Sequence, residues 1–162
     1  LARGEADIAL RACPMPTQAG VVVRKLVDDP WSLYCSRRYS ERRGVPRRAG
    51  DLNKHVLIGA DGALAKLAPF DWLAKAAPEA TARSVCSTLH NVLAAIKAGH
   101  GIGPLPNSIG IPPDLVKCFP MPDFKFGIYL MTRESLKDVP RVKALNKFII
   151  AHAHVLKRAL EA

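Results

Sequence analysis

No stretch of this 162-residue sequence stays apolar for the roughly 18 residues that a membrane-crossing helix requires. The opening residues, Leu-Ala-Arg-Gly-Glu-Ala-Asp, lack the basic-then-apolar order of an export signal. The expectation is therefore a cytoplasmic chain with no membrane partner. Cysteine is sparse. Cys13, Cys35, Cys86 and Cys118 are far apart, with no CxxC pair, which excludes a dense disulfide framework and a zinc ribbon. Free thiols in a reducing compartment are expected, since chains kept in such compartments rarely hold disulfides. No HExxH or i, i+4 histidine pair is present among His55, His90, His100, His152 and His154, so no metal site is expected. There is no GxSxG, and no cysteine with a recognisable histidine and asparagine set. Asp61, Asp71, Glu79 and Asp123 carry no paired-carboxylate signature and read as turn and capping residues. These absences predict no catalytic set, no cofactor and no enzyme activity.

Acidic residues are scarce against basic ones, 14 against 24, giving a formal charge of +10. The excess is local: Arg37, Arg38, Arg42, Arg43, Arg47 and Arg48 are six arginines within twelve residues. Such a cluster can contact phosphates, and an independent nucleic-acid-binding module is one reading of it. A solvated short helix and turn is the other, because charge alone steers and solubilises without specifying a partner. Tyr39 is the one aromatic residue within the cluster, so no stacking platform interleaves the charges.

Strand and helix signals alternate, which predicts an α/β fold with a mostly parallel sheet. A helix end at Leu1–Gly4 leads into a strand at Ala6–Arg11. Val21–Arg24 and Trp31–Ser36 read as two extended segments separated by an Asp28-Asp29-Pro30 turn. Tyr39–Arg43 and Asp51-Leu52 read as short helical turns, and Val56–Ile58 as a strand closed by Gly59–Gly62. Residues 63–80 carry no clear period, being broken by Pro69 and Pro78. Ser84–Cys86, Leu115–Phe119 and Gly127–Thr132 read as strands, with a turn at Asn107–Gly110. A single long helix closes the chain. Asp138 is its expected cap, Pro140 sits in its first turn, and its apolar stripe runs from Val142 through Leu145, Phe148, Ile149, Val155 and Leu156 to Leu160.

The most informative stretch is Ser87 to Pro106, STLHNVLAAIKAGHGIGPLP. Ser87 and Thr88 can cap a helix, and Leu89, Val92, Leu93 and Ile96 share one apolar face. Gly99 suits the left-handed residue after a helix, and Gly101-Ile102-Gly103 suits a buried strand with close neighbours. The glycines imitate a dinucleotide loop, but that loop follows a strand and opens a helix, the reverse of the order here. The bracketing of a central block, roughly residues 25–120, by the first strand and the last strand–helix pair predicts two lobes joined by two chain crossings. Ligands in such folds sit at the carboxyl ends of strands. Candidate binding residues are therefore Arg11 and Ala12 at the end of the first strand, Gly59 and Ala60 after the short strand, and Ser87 and Thr88 at the helix start.

These segments carry a resemblance. LARGEADIALR resembles the helix end and strand of the effector-binding domain of LysR-type transcriptional regulators, where a glycine-containing turn precedes Asp, an aliphatic run and Arg. The VRKL approach, the strand before SRRY, the RGVP turn and the DLNKH segment are similar to that family's passage into its second lobe. NVLAAIKAGHGIGPLPNSI resembles its helix–glycine–strand–proline unit, and GIYLMTRESLKDVPRVKALNKFI its closing strand and helix. The resemblance implies a periplasmic-binding-protein type II-like fold, with residues 1–24 and 121–162 forming an incomplete first lobe and 25–120 the second. It also implies bacterial origin, a dimer or tetramer, and a small-molecule effector bound between lobes by Arg11, Ala12, Gly59, Ala60, Ser87 and Thr88. DNA contact would come only through a winged helix-turn-helix that is missing here. The basic balance makes an organic anion the expected effector. A solute-binding protein of the same fold is the alternative that this resemblance leaves.

Overall fold

Two strands run much further than the sequence predicts. A computed structural model describes residues 6–80, 82–110 and 113–161, so the expected helix end at Leu1–Gly4 lies outside the described residues. β1 covers Ile8–Cys13, and β2 runs unbroken over Val21–Ser36. The turn expected at Asp28-Asp29-Pro30 is absent. Proline already holds an extended-compatible φ, and its missing N–H is tolerated where the ladder needs no donor. Asp29, which turn composition would expose, is wholly buried. Asp28 bonds back to Lys25 at 2.6 Å instead of closing a turn. The first half of β2 is at least partly exposed along most of its length, whereas Trp31 to Ser36 are buried throughout, as in a strand covered on both faces.

By contact the chain divides into two compact units, Leu1–Asp29 with Lys125–Ala162, and Pro30–Phe124. In the first, β6 (Leu115–Arg133), which enters this unit at Lys125, pairs antiparallel with β1 from Cys13↔Gly127 to Ile8↔Thr132. The sequence predicts two strands here, with Asp123 in a loop; one 19-residue strand joins them. Asp7 accepts from Arg133 at 3.1 Å and from Arg141 at 3.5 Å, tying the start of β1 to the end of β6 and to the following helix. The closing helix is two helices, α6 (Pro140–Ala151) and α7 (Ala153–Glu161). Val139, not Asp138, is the N-cap residue. The break falls where His152 Nδ1 lies 2.8 Å from the Phe148 carbonyl and His154 Nδ1 lies 2.9 Å from that of Ala151. Ring nitrogens there compete for the last carbonyls of the helix. The break also divides the expected stripe. Val142 and Leu160 are buried, the latter against Val27 and Ile128, while Leu145, Phe148 and Val155 are exposed.

The second unit holds α1 (Arg37–Arg43), β3 (Leu57–Ala60), α2 (Gly62–Ala65), α3 (Ala68–Ala76), β4 (Ala82–Cys86), α4 (Leu89–Lys97), β5 (Gly103–Pro106) and α5 (Asn107–Gly110). A 3-10 turn at Ala49–Lys54 precedes β3. β3 and β4 are parallel, and Ile102 extends the parallel pairing on the other side of β3. β5 is antiparallel to β2, from Trp31↔Pro106 to Tyr34↔Gly103. The pairing is therefore mixed rather than mostly parallel, because β2 runs against β5 while β3 and β4 run together. Trp31, Leu33, Ile58, Ile96 and Leu105 are fully buried in its interior. Residues 63–80, without a clear period in the sequence, hold two helices. Pro69 opens α3 rather than breaking it, since the first turn needs no N–H from it.

The carboxyl ends of β3 and β4 as the candidate site

Parallel strands followed by helices bring both strand ends and both helix starts to one edge. Gly59 pairs with Val85 and Ala60 with Cys86, and Asp61 N–H donates to the Cys86 carbonyl at 3.1 Å. Gly59 and Ala60 thus belong to β3 itself, not to a loop after it. Ser87 and Thr88 follow β4 directly. Thr88 Oγ1 accepts the Asn91 N–H at 3.2 Å and caps α4, as its residue type predicts. Ser87 and Thr88 are exposed and Gly59 and Ala60 half-buried. The fold therefore brings these four predicted residues together. Arg11 and Ala12 lie in the other unit, exposed on β1 opposite Tyr129 and Ile128.

Beside these strand ends lies a cavity of about 400 Å³, lined by Ile58, Gly59, Ala60, Phe70, Leu73 and Val85 among others. Its lining is mainly apolar. Asp71, the charged residue in it, is paired with Lys75 at 2.7 Å. The sequence prediction lacks this wall because it assigns no element to 63–80. A usable signal is present: Phe70, Leu73, Ala74 and Ala77 fall at i, i+3, i+4 and i+7, with a proline where a helix would start. A second group absent from the prediction is polar and buried. Ser32 Oγ and the Tyr34 hydroxyl both donate to Asn107 Oδ1, at 2.8 and 2.9 Å. This pair of bonds fixes the start of α5, a segment that the sequence presents as a plain turn.

The chemistry along this edge suits holding rather than reacting. Burial and the neighbouring Asp61 charge push the Cys86 thiol up, away from the nucleophilic thiolate. Among the described residues no cluster of three histidine, cysteine or acidic side chains could hold a metal ion. No described helix is long and apolar enough to cross a membrane.

Two guanidinium groups of the exposed arginine cluster, those of Arg42 and Arg48, bond within its own segment, while Arg37 Nη2 donates outside it to the Pro113 carbonyl at 3.3 Å. Ser36 caps α1 by accepting the Tyr39 N–H, and Arg42 Nε donates to the Arg38 carbonyl. Asp51 accepts the Arg47 N–H at 3.1 Å and pairs with Arg48 at 3.5 Å. The Arg47 N–H holds its carboxyl below the usual range. Tyr39 is buried, so the aromatic residue of the cluster offers no face to a base. These observations favour a solvated, partly self-braced face over an independent nucleic-acid module.

The sequence profile of the LysR substrate binding domain matches residues 1–154. Among solved structures, the regulatory domain of CrgA, a LysR-type transcriptional regulator from Neisseria meningitidis, is similar with a TM-score of 0.67. The two are 19% identical, over 94% of this chain and 78% of that one. The effector domain of the transcriptional regulator AmpR of Pseudomonas aeruginosa has a TM-score of 0.67 at 20% identity, over 99% and 79%. Full-length CbnR in complex with its target DNA is similar at 0.60 and 18%, over 94% of this chain and 54% of CbnR. Among curated protein sequences, none matches.

Proposed function

This chain belongs to the LysR substrate-binding domain family, and from that premise we propose that it senses a small organic anion held at the carboxyl ends of β3 and β4. The fold is the mixed α/β, periplasmic-binding-protein type II-like fold of LysR effector-binding domains. The family is bacterial and regulates transcription, so the reading as an exported solute-binding protein is set aside. CrgA and AmpR are matched through the regulatory and effector domains of transcriptional regulators, and the proposal gives this chain a sensing role and no reaction.

The observation that carries the reading is the convergence of Gly59, Ala60, Ser87 and Thr88 on one edge, where the nine-residue helix α4 begins. Free N–H groups and the positive end of the helix dipole favour an anion there. Half-buried Gly59 and Ala60 leave room for the body of a small molecule. For Arg11 and Ala12 the proposal rests on the family resemblance and on the suitability of a guanidinium for a carboxylate. The lobe assignment, 1–24 with 121–162 and 25–120, belongs to the same proposal. Effector binding would act by population shift, favouring one arrangement of a self-associated dimer or tetramer. DNA contact would be made by a winged helix-turn-helix outside these 162 residues, in the cytoplasm.

The test is thermal denaturation of the chain with a panel of small mono- and dicarboxylates. A ligand at a hundred times its Kd stabilises the folded state by about 2.7 kcal/mol. A concentration-dependent rise in Tm, lost in Ala60→Leu and Ser87→Leu, is expected. No stabilisation by any carboxylate at millimolar concentration would overturn the organic-anion reading.

A further inference from the structure

Cys35 and Cys118 stand outside the candidate site. Cys35 is on β2 and Cys118 on β6, strands that are hydrogen-bonded neighbours, and both residues fall in the Pro30–Phe124 unit. Their sulfurs are 3.7 Å apart. Cys35 is fully buried and Cys118 half-buried. We propose that Cys35 and Cys118 are an oxidant-responsive thiol pair, which a hydroperoxide converts to an intrachain disulfide stapling β2 to β6.

Neighbouring strands lie about 4.7–4.9 Å apart, a spacing compatible with the roughly 4.4–6.8 Å between Cα atoms that disulfides span. The sulfurs need to close by less than about 2 Å to reach the bonded distance of ~2.05 Å, a movement within reach of side-chain rotation. The contact also prepares the chemistry. The Cys118 S–H donates to the Cys35 sulfur, which draws the Cys35 thiol down and pushes that of Cys118 up. The pair therefore gives up one proton more readily than the other, and the remaining proton lies between the two sulfurs.

Transfer of the bridging proton from Cys118 to the Cys35 thiolate along this contact makes Cys118, the less buried residue of the pair, the thiolate that attacks the O–O bond of a hydroperoxide. Cys118 becomes a sulfenic acid and the peroxide leaves as an alkoxide or hydroxide, which takes a proton from water. Cys35 then attacks the Cys118 sulfur and expels hydroxide, which leaves with the Cys35 proton as water. Two thiols and one hydroperoxide give one disulfide, one alcohol or water from the peroxide, and one water.

The test is intact-mass and peptide mapping of the 162-residue chain after stoichiometric hydrogen peroxide. The expected product is 2 Da lighter, links the Cys35 and Cys118 peptides, and returns to the starting mass with dithiothreitol. Cys118→Ser, at a half-exposed position that tolerates a hydroxyl, is expected to lose the linkage. Further oxidation of Cys118 to sulfinic acid without linkage would overturn the proposal. So would a linkage mapped to Cys13 or Cys86, or disulfides only between chains. Mapping the parent chain needs no variant, so the outcome does not depend on whether a Cys35 substitution folds.

Discussion

The Tyr39 hydroxyl accepts the backbone N–H of Val56 at 3.0 Å. This one bond joins α1, at the head of the arginine cluster, to the residue that enters β3. Tyr39 is buried, and its phenol is pushed up by that burial, so it stays neutral and available as an acceptor. Removing only the oxygen, as Tyr39→Phe, leaves a buried N–H without this acceptor. A loss of about 1–3 kcal/mol is expected in urea unfolding. A variant as stable as the parent would show that Val56 finds another acceptor.

The same hydroxyl lies 3.2 Å from His55 Nδ1. Burial, assisted by the Arg43 charge and opposed by Asp51, holds His55 below its ordinary pKa of 6.5. Between the folded and unfolded values the unfolded chain binds more protons, so stability rises with pH. The His55 contribution is complete above pH 6.5 and declines as pH falls from there toward the depressed folded value. The effect is modest, because the half-buried ring is screened by solvent. Unfolding measured from pH 5 to 7.5 in the parent and in His55→Gln checks this: the variant is expected to show a shallower slope across that window.

Gly101 presses on the chain that precedes β3. A Cβ there would stand 2.6 Å from the Val56 carbonyl oxygen, whereas at Gly50 a Cβ would meet nothing within 4 Å. Gly101→Ala is therefore expected to cost about 1–3 kcal/mol, as overpacking does. Gly50→Ala is expected to stay within about 0.5 kcal/mol of the parent. Equal melting temperatures for the two variants would contradict the tight approach.

At the candidate site, capping and binding can be separated at Thr88. Thr88→Ala removes the acceptor for Asn91 N–H and is expected to cost about 1 kcal/mol, with Thr88→Ser restoring most of it. Isothermal calorimetry then reports on the ligand. If Thr88 only caps, carboxylate affinity is unchanged in the serine variant and in any alanine variant that stays folded.

Arg11 provides the complementary case. It is exposed on β1, so Arg11→Ala is expected to leave Tm nearly unchanged. A charge-assisted contact is worth about 1.5–3 kcal/mol, which corresponds to at least a tenfold loss of carboxylate affinity. Unchanged affinity would remove Arg11 from the proposed site.

Short-range grammar decided much of this protein within the sequence itself. The Thr88 cap, the Val92 and Ile96 stripe, Gly99 at φ +77° and the crowded glycines around Ile102 are all legible. Each depends on residues a few positions apart, and their order supports the family resemblance. Tertiary structure decided what distant residues do together. It carried β2 through Asp29 and Pro30, because the buried surroundings of Trp31 to Ser36 outweigh a local turn preference. It divided the closing helix at His152, where the Phe148 and Ala151 carbonyls meet ring nitrogens. It placed Ala60 beside Cys86, and Cys35 against Cys118 across 83 residues of chain. Capping and helix periodicity are properties of neighbours along the chain, whereas strand pairing and cavities depend on which segments meet in space.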